Sequence, residues 1–216
     1  MLPIEFQERM KKMLGDEYEA FLGGYEKPRF HALRRNPLKI EEKDFMEKVH
    51  FSLKQVPWAK HGFYYEKDVQ PGKHPFHEAG IYYIQEPSAM SVVEYLQVQP
   101  GEQVLDLCAA PGGKTTQIAG FMNHQGLLVC NEIHPQRAKI LSENIERMGV
   151  KNALVTNETP QRLSAVFPFF FDKILVDAPC SGEGMFRKNE EAMTEWSPQN
   201  VQMCADRQDE ILEEAA

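Results

Sequence analysis

Hydrophobic positions along this chain change rhythm near residue 78. Before that point, residues 3–14 and 16–22 carry apolar side chains at helical spacing, which predicts two short amphipathic helices, the second stopped by Gly23-Gly24. Residues 29–35 predict a strand and Glu41 to Val49 a helix. The stretch 56–80 mixes Pro, Gly, His and aromatics and reads as irregular, with one strand at 62–66. After residue 78 strands and helices alternate. Ser88 to Leu96 predicts a helix, Gln103 to Leu107 a buried strand, Lys114 to Met122 a helix and Leu127 to Ile133 a second strand. Residues 135–148 place Ala138, Leu141, Ile145 and Met148 on one helical face, and Gly149 stops the helix. Ala153 to Thr156 and Lys173 to Asp177 give the third and fourth strands. Ser197-Pro198 reads as an N-cap with Pro at the first helical position, opening a helix that turns Val201, Cys204, Ile211 and Leu212 inward.

Strands alternating with helices imply an α/β fold with a parallel sheet and right-handed crossovers. Ligands in such sheets sit at the carboxyl ends of the strands. Two loops fall there, 108–114 and 177–184, and both are rich in small residues.

Composition sets the class. With 42% hydrophobic and 26% charged residues among 216, this is an ordinary soluble domain, or one domain with a small companion. No apolar run reaches membrane-span length, and the N-terminus lacks a basic segment followed by an apolar one. The expected compartment is the cytoplasm. Four cysteines, at 108, 130, 180 and 204, are too few and too scattered for a disulfide framework, and no Cys-x-x-Cys pair suggests zinc. His74 and His77 read as loop histidines, so no metal is expected.

The net charge of −8 argues against nucleic acid until its distribution is seen. Residues 190–216 hold eight acids and one base, whereas between Glu26 and Lys39 one acid faces Lys27, Arg29, Arg34, Arg35 and Lys39. That basic stretch, beside Phe30 and His31, has the makeup to grip phosphates and stack on bases. By itself it is equally a solvated charged face.

The loop Cys108, Ala109, Ala110, Pro111, Gly112, Gly113, Lys114 follows a strand ending in Asp106-Leu107 and opens a helix. Small side chains let a ligand approach the backbone, and helix-start amides favour an anionic group. Asp106 is placed to accept from a ligand amine. Gly113-Lys114-Thr115 resembles the end of a P-loop, but Cys108 stands where that motif needs Gly, and a dinucleotide Gly-x-Gly-x-x-Gly is missing too. Glu132, at the end of the second strand, suits the two hydroxyls of an adenosine ribose. Taken with the loop, it makes S-adenosyl-L-methionine the best candidate ligand.

The second loop sets Cys180 three residues after Asp177. Cys130 sits in a buried strand and Cys204 on an inward helix face, and Cys108 packs in the first loop, which leaves Cys180 as the thiol presented for chemistry. A thiol joined to a sulfonium methyl donor suits C5 methylation of a pyrimidine. Thiolate addition at C6 makes C5 nucleophilic, an acid such as Asp177 steadies the ring, and a base then removes the C5 proton.

These motifs, with Gln85-Glu86-Pro87-Ser88, DLCAAPGGKT at 106–115, NEIHPQRAKILSENIERMG at 131–149, DAPCSGEGMFRK at 177–188 and WSP at 196–198, resemble the RNA (cytosine-5) methyltransferase family, the Nop/Sun group, and in particular its bacterial 16S rRNA branch. The resemblance implies a small α+β RNA-binding domain over 1–77 and a Rossmann-like methyltransferase domain with an incomplete sheet over 78–216. It implies that residues 108–114 and Glu132 hold S-adenosyl-L-methionine, that Asp177 touches both cytosine and cofactor, and that Cys180 assists elimination and product release. Lys188 would face RNA, namely 16S rRNA or the small ribosomal subunit. Where the family has an Asp contacting adenine, this chain has Thr159, and Asn157 or Glu158 is the expected substitute. The family's nucleophile lies in a Thr-Cys motif that this chain does not contain; Cys180 corresponds to the second cysteine. The expectation is therefore a truncated product that does not complete methylation alone. Its alternatives are a non-catalytic RNA- or cofactor-binding remnant, an enzyme acting on tRNA, and a small-molecule or protein methyltransferase.

Overall fold

The computed structural model describes residues 2–216. In chain order, α1 (Ile4–Leu14) and α2 (Tyr18–Glu26) precede β1 (His31–Arg35), α3 (Glu42–Lys48), β2 (Leu53–Gln55), β3 (Gly62–Tyr65), the single turn α4 (Pro75–Glu78), β4 (Tyr82–Ile84) and α5 (Pro87–Leu96). Then β5 (Gln103–Asp106), α6 (Gly113–Met122), β6 (Leu127–Asn131), α7 (Pro135–Met148), β7 (Ala153–Thr156), α8 (Pro160–Val166) and β8 (Lys173–Leu175) alternate, followed by α9 (Glu190–Glu195) and α10 (Pro198–Ala215). Contacts gather these elements into two units, one spanning Phe30–Asp177 and one made of the segments up to Arg29 and Ala178–Glu214. The functional boundary expected at 77/78 falls inside the larger unit.

The larger unit holds two sheets. The parallel one runs β7-β6-β5-β8 and the antiparallel one β2-β3-β1-β4. Strands β5 and β6 pair in register from Gln103 opposite Leu127 to Asp106 opposite Cys130. They read as near-continuous apolar runs because both of their faces are covered. Val104, Leu128, Ile118, Met122 and Val93 form a fully buried cluster between sheet and helices. On the other face Leu141 and Ile145 of α7 pack on Cys130, Ala109 and Ala110. The face of α7 read from the sequence is the buried one: Ala138, Leu141, Ile145 and Met148 all lie inside.

Helix α5 ties the sheets together. Met90 packs on Ala32, Val56 and Ala59, and a Cβ on Gly62 would lie 2.5 Å from the Met90 sulfur. Only glycine lets β3 approach the helix so closely. The other face of the antiparallel sheet closes over Leu33, Phe45, Val49, Phe63 and Tyr82.

In the smaller unit Phe6, Met10, Tyr18, Phe186 and Trp196 form the core. The Phe6 ring meets Phe186 edge-on at 5.0 Å and Trp196 at 5.7 Å. Each such aromatic contributes roughly 1.5–3 kcal/mol through burial. Glu183 accepts from the Trp196 indole and from Arg9, both at 2.9 Å. The N-cap read at Ser197 is present: its hydroxyl accepts from the Asn200 amide at 3.1 Å, with Pro198 at the first turn.

Several expectations need correction. Helix α2 runs through Gly23-Gly24 to Glu26, because Tyr18, Phe21, Leu22 and Tyr25 carry its apolar face past the glycines. Strands β2 and β4 and helix α8 were not foreseen. Leu212 is 51% exposed, so of the positions expected inward on α10 only Ile211 is fully buried.

Candidate cofactor site

Three strand ends and the start of α6 converge at the carboxyl edge of the parallel sheet, all within the larger unit. Asn131 stitches the strand ends together. Its amide nitrogen donates to the carbonyls of Leu107 (3.3 Å) and Glu158 (2.9 Å), while its oxygen accepts from the Thr156 hydroxyl (2.9 Å) and the Glu158 amide (3.0 Å). Asn131 is buried and its amide is used on both sides, which sets the ends of β5, β6 and β7 relative to one another.

The loop 107–112 then turns tightly. The Ala109 amide donates to Asn131 O and the Gly112 amide to Ala109 O, both at 2.8 Å. Gly112 has φ +109°, and a Cβ there would lie 3.2 Å from Leu141, so the turn needs glycine on two counts. Helix α6 starts immediately afterwards with no side-chain cap, leaving its first amides to be met by solvent or a ligand.

Asp106 sits at the bottom of this cradle, 1% exposed. Its Oδ2 accepts from the Thr115 hydroxyl at 2.6 Å, whereas Oδ1, equally buried, finds no hydrogen-bond partner among the described residues. Burial pushes the Asp106 carboxyl up to about 7; Asp177 and Glu132 add to this, against the Thr115 hydrogen bond and Lys114, which pull it down. A buried carboxylate oxygen without a donor is costly, and an ammonium group has the chemistry to supply that donor.

Glu132 is 3% exposed. One oxygen accepts from the His134 amide at 3.0 Å and the other faces Arg137 at 3.3 Å. Each carboxylate oxygen can accept more than one bond, so the pair keeps capacity for vicinal hydroxyls. Arg137 also donates to Ala110 O at 2.9 Å, tying α7 to the loop. Asn157 is exposed and donates to the Glu132 carbonyl at 2.6 Å, which brings it beside the strand end where an adenine contact was expected. Lys114 pairs with Asp177 at 2.5 Å, with Asp177 half exposed at the rim. That engagement differs from the phosphate-directed lysine a P-loop would need.

Thus Cys108, Ala109, Ala110, Pro111, Gly112, Gly113, Lys114, Glu132, Asn157 and Asp177 share one edge of the larger unit. Cys108 is half-buried, and burial, with Asp106, Glu132 and Asp177 nearby, raises its thiol to about 11, which keeps it protonated. Burial likewise raises the Cys130 thiol. Cys180 is exposed, in the loop that opens the second segment of the smaller unit.

The basic stretch is reorganised. Arg34 and Arg35, expected to grip RNA, are buried at 1% and 4% exposure. Arg34 donates to Gln85 Oε1, Gly113 O, Thr116 O and Thr116 Oγ1. Arg35 donates to Ile40 O at 2.5 Å and to His61 Nδ1 at 2.8 Å. His61 can accept because burial, then Arg35, Lys60 and Arg34, push its imidazole down to about 4 and keep it neutral. Neither arginine is available to a phosphate. Lys39 lies across the carboxyl end of α7, donating to Arg147 O at 2.6 Å. In the smaller unit Lys27, Arg29 and Lys188 are exposed. Burial, with Arg29 beside it, lowers the Lys188 ammonium. Arg187, missed from the sequence although adjacent to Lys188, joins them by donating to Lys27 O at 2.5 Å. Among the described residues no group of three or more His, Cys, Asp or Glu could hold a metal, and no helix is long and apolar enough to cross a membrane.

Residues 93–216 match the family described as 16S rRNA methyltransferase RsmB/F, and residues 2–87 match the N-terminal domain of 16S rRNA methyltransferase RsmF. This chain belongs to that RsmB/F family of 16S rRNA methyltransferases. It is 40% identical to a ribosomal RNA small subunit methyltransferase F of Serratia proteamaculans, over 99% of this chain and 47% of that protein. A protein of the same name from Vibrio vulnificus is 41% identical over 99% of this chain and 48% of its own length. The chain spans about half the length of these curated relatives. A solved methyltransferase homologue from Pyrococcus horikoshii superposes with a TM-score of 0.83 at 30% identity, covering 96% of this chain and 67% of that one. The Rossmann-like methyltransferase domain preceded by a small N-terminal domain, expected from the sequence, is thereby shown, the N-terminal part matching the RsmF N-terminal domain.

Proposed function

We propose that this chain carries the cofactor-binding part of an S-adenosyl-L-methionine-dependent methyltransferase that acts on C5 of a cytosine in ribosomal RNA of the small subunit. The observation that carries the reading is the buried Asp106 carboxyl, bonded through one oxygen to Thr115 in the first turn of α6 and unpartnered at the other, with buried Glu132 just past the end of the neighbouring strand. In this reading Asp106 takes the amino group of the methionyl part. The first amides of α6 take its carboxylate, Glu132 takes the ribose hydroxyls, and Asn157 borders the adenine. When bound, the cofactor supplies an electrophilic methyl group on a sulfonium centre.

The remaining chemistry falls to Asp177 and Cys180. Asp177, held by Lys114 at the rim, hydrogen-bonds the exocyclic amine and N3 side of the cytosine as its electrons move towards C5. Cys180 serves the departure of the methylated base. Lys27, Arg29, Arg187 and Lys188 are the proposed phosphate contacts, and residues 1–77 the RNA-binding region. A ribosomal RNA substrate places the protein in the cytoplasm.

Titration calorimetry with S-adenosyl-L-methionine and with ATP tests the cofactor. Binding of the sulfonium compound in preference to ATP supports the reading; the reverse order returns the loop to a nucleotide triphosphate role. For the reaction, label from the cofactor methyl should reach cytosine C5 of undermodified small-subunit RNA. Label on protein or metabolites alone would overturn it.

A further inference from the structure

Among the described residues Arg34, buried at 1% exposure, makes four hydrogen bonds and no ion pair. It projects from β1 of the antiparallel sheet, yet three of its four acceptors belong to the first turn of α6. No carboxylate lies within ion-pair distance of it among the described residues, and burial lowers its guanidinium to about 10, still cationic at neutral pH. The Arg34 Nε donates to Gln85 Oε1 at 2.9 Å, which fixes the plane of the fork. Nη2 reaches Gly113 O at 3.0 Å and the Thr116 hydroxyl at 2.8 Å. That hydroxyl in turn donates to Gly112 O at 2.7 Å. A chain of hydrogen bonds therefore runs from Gln85 through Arg34 and Thr116 to the carbonyl of Gly112, the residue whose left-handed turn begins the helix.

The first turn of α6 has two working sides. Gly113 and Thr116 face Arg34, while Lys114 and Thr115 face Asp177 and Asp106. Fixing the rear side fixes the front. Tyr83 completes the brace: its ring takes the guanidinium groups of Arg34 (5.8 Å) and Arg147 (5.7 Å) and lies against Gly113, where a Cβ would meet it at 3.4 Å.

We propose that Arg34, Gln85 and Thr116 form a positioning device that holds the 112–114 turn in its ligand-receiving shape, so that the N-terminal sheet controls cofactor affinity without touching the cofactor. The inference rests on the cofactor reading given above, and its test separates the two. Gln85→Ala and Thr116→Val should each weaken binding of S-adenosylhomocysteine at least tenfold by calorimetry. Thr116→Ser, which keeps the hydroxyl, should restore affinity to within about twofold of wild type. Arg34→Lys keeps the charge but loses the fork and should behave like Gln85→Ala.

The control is Asn36→Ala. Asn36 is an equally buried link from the same strand end, donating to Gly80 O and Met148 O at 2.8 Å each, neither of which belongs to the turn. It should lower the melting temperature as much as Gln85→Ala yet change affinity by less than twofold. Equal affinity losses in Asn36→Ala and Gln85→Ala would reduce Arg34 to general stability and overturn the proposal, as would unchanged affinity in Thr116→Val. Hydrogen exchange gives a readout independent of the ligand: the amides of Thr116, which donates to Gly112 O, and of Gln117 should lose protection in Gln85→Ala and keep it in Asn36→Ala. If wild type fails to bind while this exchange pattern holds, the cofactor reading falls and the brace stands.

Discussion

The two buried charges on opposite sides of α6's first turn have been treated in opposite ways. Arg34 lies behind the turn with its donors spent on protein acceptors, and Asp106 lies in front with one oxygen spent and the other left without a donor. Both are about 1% exposed. A buried ion that is satisfied holds structure, whereas one left half-satisfied stores a deficit that a ligand can relieve. The difference separates scaffold from site more sharply than burial or charge alone.

The contrast breaks hardest at Arg34. Arg34→Met should cost about 3–5 kcal/mol of unfolding free energy, because it strands the Gln85, Gly113 and Thr116 acceptors in the interior. Denaturant titration measures it, and a loss below about 1 kcal/mol would remove the saturated half of the comparison.

Glu132 sharpens the other half. Glu132→Ala should weaken S-adenosyl-L-methionine binding by about 1–3 kcal/mol, the scale for bonds to a charged group. Calorimetry showing unchanged affinity would take Glu132 out of the site.

At Asp106 the substitution should help the fold and harm the ligand. Because burial raises its carboxyl to about 7, the folded protein keeps a proton that the unfolded chain has already lost above about pH 4. This group therefore makes stability fall as pH rises from about 4 to 7, and the loss is complete above that window. Asp106→Asn removes the slope and should stabilise the protein at pH 8 by about 1–2 kcal/mol while abolishing cofactor binding. A variant less stable than wild type at pH 8 would mean that Oδ1 carries no deficit.

The smallest effect is expected at the rim. Lys114 and Asp177 form a pair in which Asp177 is half exposed, so Lys114→Ala should cost no more than about 1 kcal/mol of stability, shrinking further in salt. A thermal melt at two salt concentrations checks it.

Much of this was legible in the chain itself. The parallel sheet and its loops declared themselves through apolar runs ending in small residues, and α7 through its period and its closing glycine. The antiparallel strands β2 and β4 span three residues each, too short for any period to register. Arg34 and Arg35 show where reading failed and why. A count of charges cannot tell a solvated base from one enclosed on both faces of a sheet; Ala32 and Leu33 preceding them in β1, both buried, were the signal that neither face of this strand meets water. Asp106 could be read from its place at a strand end as a candidate acceptor for a ligand amine. Its missing donor was not, because that depends on where Thr115 sends its single proton.

On the proposed reading, the deficit at Asp106 also makes loading an acid–base event. Seating a cationic amine against the carboxylate holds it ionised, so the proton that the empty protein carries below pH 7 passes to solvent on binding. The observed heat of binding should then vary with the ionisation enthalpy of the buffer, and occupancy at a fixed cofactor concentration should decline as the solution is acidified. Methyl-donor supply and acidity thereby compete at a single oxygen atom.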